Sequence, residues 1–504
     1  MNYWIANHPK LFSFLIILKI LPNQHSDKSY LCPMARKKQK EIFLENIEVL
    51  RAGAKGISIG KTTEGKTVLI QDAVPGDLVN VSVFKKKSSY MEGKAVEILR
   101  PSPHRVTPRC IHFGVCGGCK WQNLSYDAQL KFKQDEVENN LLRIGKFENL
   151  EITPILGSPE EYYYRNKLEF TFSNSRWLTL DEIRNTDETY DRNALGFHIP
   201  GQWSKVLDIK ECHLQKEPMN AIRLEARRFA NENGYDFFDL RNQDGFLRTL
   251  MIRSNQKGEF MVLVQFFREE TEKREAFLEN LKSKFPQIVS LLYAINPKGN
   301  DSIYDLDIQT YSGQDFIMEE MEDLQFKIGP KSFYQTNPAQ AYELYKITRD
   351  FAGLKGDETV YDLYTGTGTI AQFVSKKAKK VVGVEAVQEA IDAAKENAER
   401  NGIDNCTFYC GDMKDIFTDE FIAQNGHPDV IITDPPRDGM HKNVVETILK
   451  IHPERVVYVS CNSATQARDL ELMKSHYEIK KVQPVDMFPQ THHVENVVLL
   501  ERIH

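Results

Sequence analysis

Two side chains near the carboxyl end of the chain, the Cys461 thiol and the Glu495 carboxylate, could act together as catalytic groups. Cys461 follows the strand-like run Arg455–Ser460, and Glu495 precedes a second apolar run, Asn496–Leu500. We expect both side chains at one sheet edge, because the carboxyl ends of parallel strands form the ligand site in α/β sheets. A lone cysteine after a strand is often only a small buried residue. A thiol beside a carboxylate instead indicates covalent catalysis assisted by a base.

Acidic residues upstream of Cys461 indicate a nucleotide-type cofactor. A Gly-rich turn, Tyr364-Thr-Gly-Thr-Gly-Thr369, follows the strand-like run that begins at Thr359. Glu385, Asp412 and Asp434 end or follow the next three runs. Glycines admit a ligand close to the backbone, and an acid at the second strand tip accepts hydrogen bonds from ribose hydroxyls. There is no third glycine at the dinucleotide spacing, which favours S-adenosylmethionine (SAM) over NAD.

Methylation of uracil at C5 requires a nucleophile and a base, and this chain offers both. Uracil C5 is a poor nucleophile until a thiolate adds at C6 and converts the ring to an enolate. C5 then attacks the methyl group of SAM, a base removes the C5 proton, and the thiol is eliminated. Cys461 is the expected nucleophile and Glu495 the expected base. Methylation of an amine needs no cysteine and typically uses an aromatic residue where this chain has Arg437.

A second group of thiols has the pattern of a metal centre. Cys110, Cys116 and Cys119 lie within ten residues, and Cys212 is the best candidate for a fourth ligand. Soft thiolates at this spacing suit iron–sulfur clusters or zinc. Structural zinc more often uses two C-x2-C knuckles, and only one is present. A [4Fe–4S] cluster is therefore expected, with zinc or free thiols as alternatives, in a reducing, cytoplasmic compartment.

The elements that position these residues divide the chain into four segments. Residues 1–33 are an extension, 34–100 a small β-barrel, 101–330 a central α+β domain that carries the cysteines, and 331–504 an α/β domain. From residue 331 strands alternate with helices, which predicts a Rossmann-like parallel sheet with crossover helices. In the central domain we expect a helix over Asn123–Ile144, with Leu130, Val137, Leu141 and Ile144 on one apolar face. Strands that include Phe260–Phe266 are also expected there.

Residues 34–100 contain short strand-like runs separated by Gly and Asp turns. About five strands in roughly 60 residues predict an OB-like barrel of the kind that binds single-stranded or looped nucleic acid, with lysines 85–87 on a loop. Residues 34–100 hold 13 Lys or Arg and 8 Asp or Glu, a net of +5. The whole chain carries −6, so the remainder carries −11 and positive charge is concentrated at the barrel.

Composition excludes several classes of protein. A chain of 504 residues with 41% hydrophobic and 27% charged residues is a multidomain globular protein rather than a disordered one. Eight cysteines are too few for a disulfide scaffold. The apolar run Leu11–Leu21 is about half the length of a spanning helix. We interpret residues 1–33 as an upstream extension or an incorrectly assigned start, with Met34 as a typical soluble start, and expect no membrane association.

Together these motifs resemble the RNA uracil-5 methyltransferases of the RumA type. The resemblance covers about residues 40–504 and includes a barrel that looks like a TRAM domain. The motifs that carry it are the cysteine group, Phe333-Tyr-Gln-Thr-Asn337, Asp362-Leu-Tyr-Thr-Gly-Thr-Gly-Thr369, Asp434-Pro-Pro-Arg437, Ser460-Cys-Asn462 and Asp486-Met-Phe-Pro-Gln-Thr-His-His-Val-Glu495. The chain departs from the family pattern at Thr365, often Cys, and at Ser463, often Pro.

The resemblance implies a function and a set of site residues. It implies a [4Fe–4S] cluster on Cys110, Cys116, Cys119 and Cys212, Cys461 as nucleophile and Glu495 as base. The implied SAM contacts are Gln335, Tyr364, Thr369, Glu385, Asp412 and Asp434. The implied substrate is a splayed uridine in large-subunit (23S) rRNA, bound with the help of the basic barrel, and no obligate protein partner is evident.

Other functions remain open at this point. The same chemistry on a T-loop uridine of tRNA is the nearest alternative. A non-catalytic, cluster-containing RNA-binding or assembly protein belongs to a different class, and an intact Cys461 and Glu495 argue against it. A DNA cytosine-5 methyltransferase would normally carry its nucleophile in a PCQ-like motif, which is absent. A radical-SAM methylthiolase would need a different three-cysteine spacing.

Overall fold

The amino-terminal strands close into a five-stranded barrel in the computed structural model, which describes residues 42–185 and 190–504. The strands are β1 (Ile42–Ala52), β2 (Ser58–Lys61), β3 (Thr67–Gln71), β4 (Leu78–Lys86) and β5 (Tyr90–Arg100). Their order is β1-β2-β3-β5-β4, and β4 pairs with β1 to close the barrel. Alternate residues of β4 fill the interior, because successive side chains of a strand point to opposite faces. The interpretation of residues 1–33 falls outside the described residues.

The barrel confirms the predicted architecture with one difference. Lys85 and Lys86 belong to β4 rather than to a loop, and only Lys87 lies in the turn before β5. The outer face also exposes Phe43 and Phe84, at 52% and 54% of their surface. Basic and aromatic side chains therefore lie together on the outside of the barrel.

A second sheet of seven strands forms the central region, in the order β12-β11-β10-β9-β6-β7-β8. Its elements, with a short hairpin, are α1 (Tyr126–Arg143), β6 (Lys167–Ser173), α2 (Leu180–Arg184), β7 (Ala194–Ile199), β8 (Gln202–Asp208), α3 (Met219–Glu232), β9 (Leu247–Ser254), β10 (Phe260–Phe266), α4 (Thr271–Lys284), β11 (Ile288–Ile295), β12 (Gln309–Gly313), β13 (Ile317–Met321) and β14 (Leu324–Ile328). β9 and β10 are buried along their whole length, which explains the nearly continuous apolar sequence of β10. β9 buries two arginines, Arg248 and Arg253, as well as its apolar residues.

The carboxyl-terminal region is a third sheet of seven strands, in the order β17-β16-β15-β18-β19-β21-β20. Its elements are α5 (Pro338–Ala352), β15 (Thr359–Leu363), α6 (Thr369–Ser375), β16 (Lys380–Glu385), α7 (Gln388–Arg400), β17 (Cys406–Cys410), α8 (Met413–Ile416), α9 (Asp419–Asn425), β18 (Val430–Thr433), α10 (Lys442–Ile451), β19 (Arg455–Ser460), α11 (Ser463–Met473), β20 (Tyr477–Val485) and β21 (Glu495–Arg502). Five strands are parallel, whereas β20 and β21 add an antiparallel edge.

Helix α1 packs on the carboxyl-terminal sheet although it is far from it in sequence. Val137 and Leu141 are buried in one core with residues of β19 and α11. The predicted apolar face is partly wrong, because Ile144 is 39% exposed while Gln129 and Lys133 are fully buried. The helix thus buries polar groups that need partners from the rest of the fold. Within the described residues, no helix is both long and apolar enough to cross a bilayer.

Candidate active site

The strand register places the predicted nucleophile beside the predicted base. Ser460, at the end of β19, pairs with Asn496 in the antiparallel strand β21. Cys461 therefore follows one member of this pair, and Glu495 precedes the other. Residues opposite each other in antiparallel strands have Cα atoms about 4.5–5.5 Å apart. The two reactive groups thus come from neighbouring strands at one edge of the sheet.

The loop that carries Cys461 is fixed by the start of α11. The side chain of Asn462 accepts a hydrogen bond from the Ala464 backbone N–H at 3.1 Å and so caps this helix. Its amide also donates to the Arg437 carbonyl at 2.9 Å. Ser463, where the family often has proline, accepts a hydrogen bond from Asn140 of α1 at 2.8 Å. The loop is therefore tied to both the Asp434–Arg437 motif and α1.

Arg437 is the positive group at the thiol. Burial, together with the carboxylates of Glu495 and Asp434, raises the pKa of Cys461 to about 12, although the charge and a hydrogen bond of Arg437 act against this rise. Since the thiolate is the reactive form of cysteine, the guanidinium is the group here that favours the nucleophile. Sequence reasoning gave Arg437 no role. Its place directly after the paired prolines is the signal that marks it.

The carboxyl groups of the site are held in a state suited to proton transfer. Glu495 is 6% exposed. Burial raises the pKa of Glu495 well above its usual range, with the charge of Asp434 adding to this and Arg437 opposing it. Burial also raises the pKa of Asp434 to about 7, with a contribution from Asp362. A carboxylate with a raised pKa is a stronger base, and it therefore accepts a proton more readily from carbon.

The Gly-rich turn lies at the neighbouring strand ends. Gly368 has a φ of +73°, and a Cβ there would lie 2.9 Å from Ala394 and Phe408, so only glycine fits. Thr369 begins α6 and lies 3.3 Å, oxygen to oxygen, from Thr367. Glu385 ends β16 and accepts hydrogen bonds from the Gly366 N–H and from two N–H groups that follow it. Backbone donors and an acid therefore surround one concave turn.

The structure places the remaining predicted cofactor residues around this turn. Tyr364 is the first residue of the turn, with a φ of +65°. Asp412 follows β17 and caps α8, and its carboxylate forms an ion pair with Lys414 at 2.5 Å. Gln335 lies on the loop before α5, and the Phe333 carbonyl of that loop accepts a hydrogen bond from Thr367 at 3.5 Å. Gln335 came from the resemblance alone, because nothing in its local sequence distinguishes it.

The barrel and a histidine pair border the site. The rings of His492 and His493 lie 4.1 Å apart, and burial lowers the pKa of both, to about 3 and about 4. Gly56 of the barrel, with a φ of +71°, approaches so closely that a Cβ there would lie 3.2 Å from His492. Two neutral imidazoles, tilted by 38° to each other, therefore lie next to the barrel at Gly56. Both histidines belong to the Asp486–Glu495 motif, but nothing in the sequence assigns them a role.

The four predicted cluster cysteines line a common cavity. Cys110, Cys116, Cys119 and Cys212 surround a volume of about 380 Å³, which extends to Thr336 beside Gln335. The Cys212 backbone is held by Asn220, which accepts from its N–H at 2.8 Å and donates to its carbonyl at 3.1 Å. Across residues 42–185 and 190–504, no three His, Cys, Asp or Glu side chains converge closely enough to hold a single metal ion.

Comparisons with known proteins identify the family of this chain. Residues 252–503 match the family model described as tRNA (uracil-5-)-methyltransferase, and residues 45–96 match that of the TRAM domain. Two relatives described as uncharacterized RNA methyltransferases are 57% and 54% identical to this chain, one from Bacteroides thetaiotaomicron and one from Porphyromonas gingivalis. The first covers 89% of this chain and 99% of its own length, and the second covers 90% and 99%.

A solved structure is similar over nearly the whole chain. The tRNA (uracil-54, C5)-methyltransferase of Pyrococcus abyssi, solved with S-adenosyl-L-homocysteine, has a TM-score of 0.69 and 26% identity. The match covers 90% of this chain and all of that one. Fold and site thus define a SAM-dependent methyltransferase with an amino-terminal TRAM domain. The chain belongs to the tRNA (uracil-5-)-methyltransferase family, and its activity is methylation of uracil C5 in RNA with SAM as methyl donor.

Proposed function

We propose that this enzyme forms 5-methyluridine in 23S rRNA through a covalent adduct between Cys461 and uracil C6. The observation that carries the proposal is the register of β19 and β21, which brings Cys461 next to Glu495. SAM supplies the methyl group, and we propose that it is bound by Tyr364 and Thr369 of the Gly-rich turn, by Glu385, Asp412 and Asp434 at strand ends, and by Gln335 on the loop before α5. The backbone donors and acids there are the groups that a nucleoside with a charged tail requires.

The nucleophilic step uses Cys461 and Arg437. The thiolate adds to C6, and Arg437, which hydrogen-bonds the thiol, stabilises the negative charge that this step requires. Negative charge then develops on the uracil ring. When C5 carries both the methyl group and its original proton, the ring is no longer aromatic and remains attached to Cys461. The adduct is released only after that proton is removed.

Glu495 is the base that completes the reaction. Its carboxylate is buried. Glu495 directly precedes Asn496, which pairs with Ser460, the residue before Cys461. Loss of the C5 proton to Glu495 restores the enolate, which expels the Cys461 thiolate and regenerates the C5–C6 double bond. Because the pKa of Glu495 is raised by burial, the carboxylate is a stronger base than an exposed one. If the Glu495 carboxylate is removed, we expect the reaction to stop at the methylated adduct.

The RNA target would approach from the barrel side. Gly56 of the barrel contacts His492, and the outer barrel face carries Phe43, Phe84 and the lysines of β4. Lysines supply sequence-independent phosphate contacts, and exposed aromatic rings stack on unpaired bases. A flipped uridine is required, because C5 and C6 are reached only from the ring face. These features support a single-stranded or looped RNA segment that spans the barrel and the reactive edge.

We propose that the cysteine cavity holds a [4Fe–4S] cluster rather than zinc. A zinc ion needs its ligand atoms within about 2.0–2.3 Å of one point. A cluster instead spreads four thiolates over several irons. The four cysteines share a cavity, but no three metal-binding side chains of the described residues converge on one point. We propose a structural role for the cluster, since the chemistry above moves no electrons through it.

The test is to locate the methyl group. Purified protein with labelled SAM would be given unmodified transcripts of 23S rRNA and of tRNA, and nuclease fragments would be analysed by mass spectrometry. We expect 5-methyluridine in an rRNA fragment. C461A should abolish both 5-methyluridine and the covalent adduct. Methyl transfer by C461A would overturn the covalent mechanism.

Methylation of tRNA is the second candidate. The observation that favours it is the similarity to the Pyrococcus abyssi enzyme, whose described substrate is uracil-54 of tRNA. The same experiment separates the two targets. Label confined to tRNA would replace the rRNA proposal and leave the roles of Cys461 and Glu495 unchanged.

A further inference from the structure

The segment Asp486–Gln490, five residues before Glu495, is held by an unusual number of contacts. All five of its consecutive carbonyl groups accept hydrogen bonds from other parts of the chain. The donors are Gln340 Nε2 to Asp486 at 2.9 Å, Asn337 Nδ2 to Met487 at 2.9 Å, Lys133 Nζ to Phe488 at 3.2 Å, Tyr164 Oη to Pro489 at 2.9 Å, and the Lys120 and Trp121 N–H groups to Gln490 at 2.8 and 3.1 Å. These donors lie on α1, on the two residues that follow Cys119, on the loop before β6 and at the start of α5. Together they fix the backbone of the segment.

Two side chains of the segment are also fixed by α1. Lys133 and Asp486 form an ion pair at 2.6 Å, and both side chains are fully buried. Gln490 and Gln129 are joined twice, since the Gln129 amide donates to Gln490 Oε1 at 3.0 Å and its oxygen accepts from the Gln490 N–H at 2.9 Å. Buried polar groups cost free energy unless they are paired, so these contacts tolerate little movement.

The constraint continues toward Glu495. Thr491 Oγ1 donates to the Phe488 carbonyl at 2.7 Å, and the His493 N–H donates to Thr491 Oγ1 at 3.2 Å. Within residues 42–185 and 190–504, no hydrogen-bond donor holds the Glu495 carboxylate itself, and its environment is defined by burial and by the charges of Asp434 and Arg437. Glu495 is the first residue of β21 and pairs with Val485, which directly precedes the Asp486–Gln490 segment. The position of this carboxylate therefore depends on that pairing and on the backbone of the segment that joins the two residues.

We propose that Gln129, Lys133 and Tyr164 are positioning residues that set the place of Glu495 for proton removal, an inference that rests on the proposed function. Cys461 is carried by a different connection, from β19 to α11, which Asn462 holds through Arg437 and Ala464. The contact of that loop with α1 is at Asn140, near the opposite end of the helix from Gln129. Loosening the Asp486–Gln490 segment should therefore slow loss of the C5 proton and leave thiol addition and methyl transfer unchanged. A misplacement of about 1 Å costs up to 100-fold in rate.

Tyr164→Phe is the sharpest variant. It keeps the ring and removes only the hydroxyl that donates to the Pro489 carbonyl. Gln490→Ala is the second variant, because it leaves the segment backbone intact and removes the side chain that contacts Gln129. Gln134→Ala is the matched control, since Gln134 is an amide on the same helix whose bonds go to Glu138 and the Thr153 carbonyl. Glu495→Gln is the reference for complete loss of the base.

The readout is the fraction of enzyme trapped as a covalent RNA adduct that carries labelled methyl. With uridine transcripts, we expect Y164F and Q490A to form product about 10-fold more slowly and to accumulate the methylated adduct, as E495Q does. With transcripts that contain 5-fluorouridine, fluorine blocks the last step, so these variants should form adduct at the wild-type rate. SAM affinity should match that of Q134A.

The outcomes separate the positioning role from a merely structural one. If both variants lose product without accumulating methylated adduct, or if their rates equal that of Q134A, the positioning role is wrong. If one variant fails to fold, the other still decides the question. If wild-type enzyme makes no 5-methyluridine and E495Q traps no adduct, the proposed function itself fails. If E495Q traps adduct and neither variant does, only the present inference fails.

Discussion

Replacing Arg437 with glutamine tests how the enzyme makes its thiol reactive. Burial, Glu495 and Asp434 raise the pKa of Cys461 to about 12, and the hydrogen bond and charge of Arg437 lower it. A hydrogen bond that involves a charged group contributes about 1.5–3 kcal/mol, or roughly one to two pKa units. We expect R437Q to raise the pKa of the thiol by that amount. The thiolate fraction at neutral pH would fall about 10- to 100-fold.

The expected loss of rate is smaller than the loss of thiolate. A more basic thiolate is a better nucleophile, with a Brønsted coefficient of about 0.4–0.5, so about half of the loss is recovered on a logarithmic scale. Addition to C6 should therefore slow by roughly 3- to 15-fold. R437K keeps the charge without the planar fork, and its rate should lie between those of R437Q and wild type.

The assay is the second-order rate of adduct formation with RNA that contains 5-fluorouridine, measured from about pH 7 to 9 at subsaturating RNA. Such a rate reports the ionisation of the free enzyme. Because the pKa of Cys461 lies above this range, the wild-type rate should rise about tenfold per pH unit without a plateau. R437Q should give a parallel line displaced downward. A wild-type plateau below pH 9, or coincident lines at equal RNA affinity, would refute the reasoning.

Three further predictions follow from the cofactor edge, the cysteine cavity and the buried ion pair. E385A should weaken SAM binding, measured by calorimetry, about 10- to 100-fold, because charge-assisted hydrogen bonds to the ribose are lost. E389A, on the exposed side of α7, is the control and should leave the affinity for SAM unchanged. Equal affinities of the two variants would contradict the ribose role. C212S should lower iron content and visible absorbance per chain, whereas exposed Cys410→Ser should change neither. K133M leaves Asp486 buried without its cation and should cost about 3–5 kcal/mol, seen as a lower urea midpoint; an unchanged midpoint would show that the pair is not needed.

Much of the carboxyl-terminal sheet could be predicted because buried parallel strands have continuous apolar sequences. The bounds expected for β19, Arg455–Ser460, are those of the structure, and the same holds for β10 of the central sheet, Phe260–Phe266. The acids predicted to bind the cofactor could be selected for the same reason, since Glu385 and Asp434 stand where apolar runs end, and their role stays a prediction. Cys461 and Glu495 follow from the same rule, but their adjacency needed the β19–β21 register.

The contacts of α1 could not be predicted from the sequence. Its local pattern favoured an apolar face ending at Ile144, yet the helix buries Gln129 and Lys133, whose partners lie 361 and 353 residues away. No local periodicity identifies a partner at that separation. Lys85 and Lys86 show a second limit, because a charged run suits both a loop and the exposed end of a strand. Gln335 shows a third, since only resemblance marked it.

The separation between Lys133 and Asp486 has a consequence for synthesis of the protein on the ribosome. The two partners of this ion pair are 353 residues apart. At about 5–20 residues per second, α1 would emerge roughly 20–70 s before Asp486 exists. Throughout that interval Lys133 lacks its anion, and the α11 residues that share a core with Val137 and Leu141 are made only late in it. Helix α1 therefore completes its packing near the end of synthesis, and release of the chain before Asp486 is made would leave the helix exposed to chaperones and proteases.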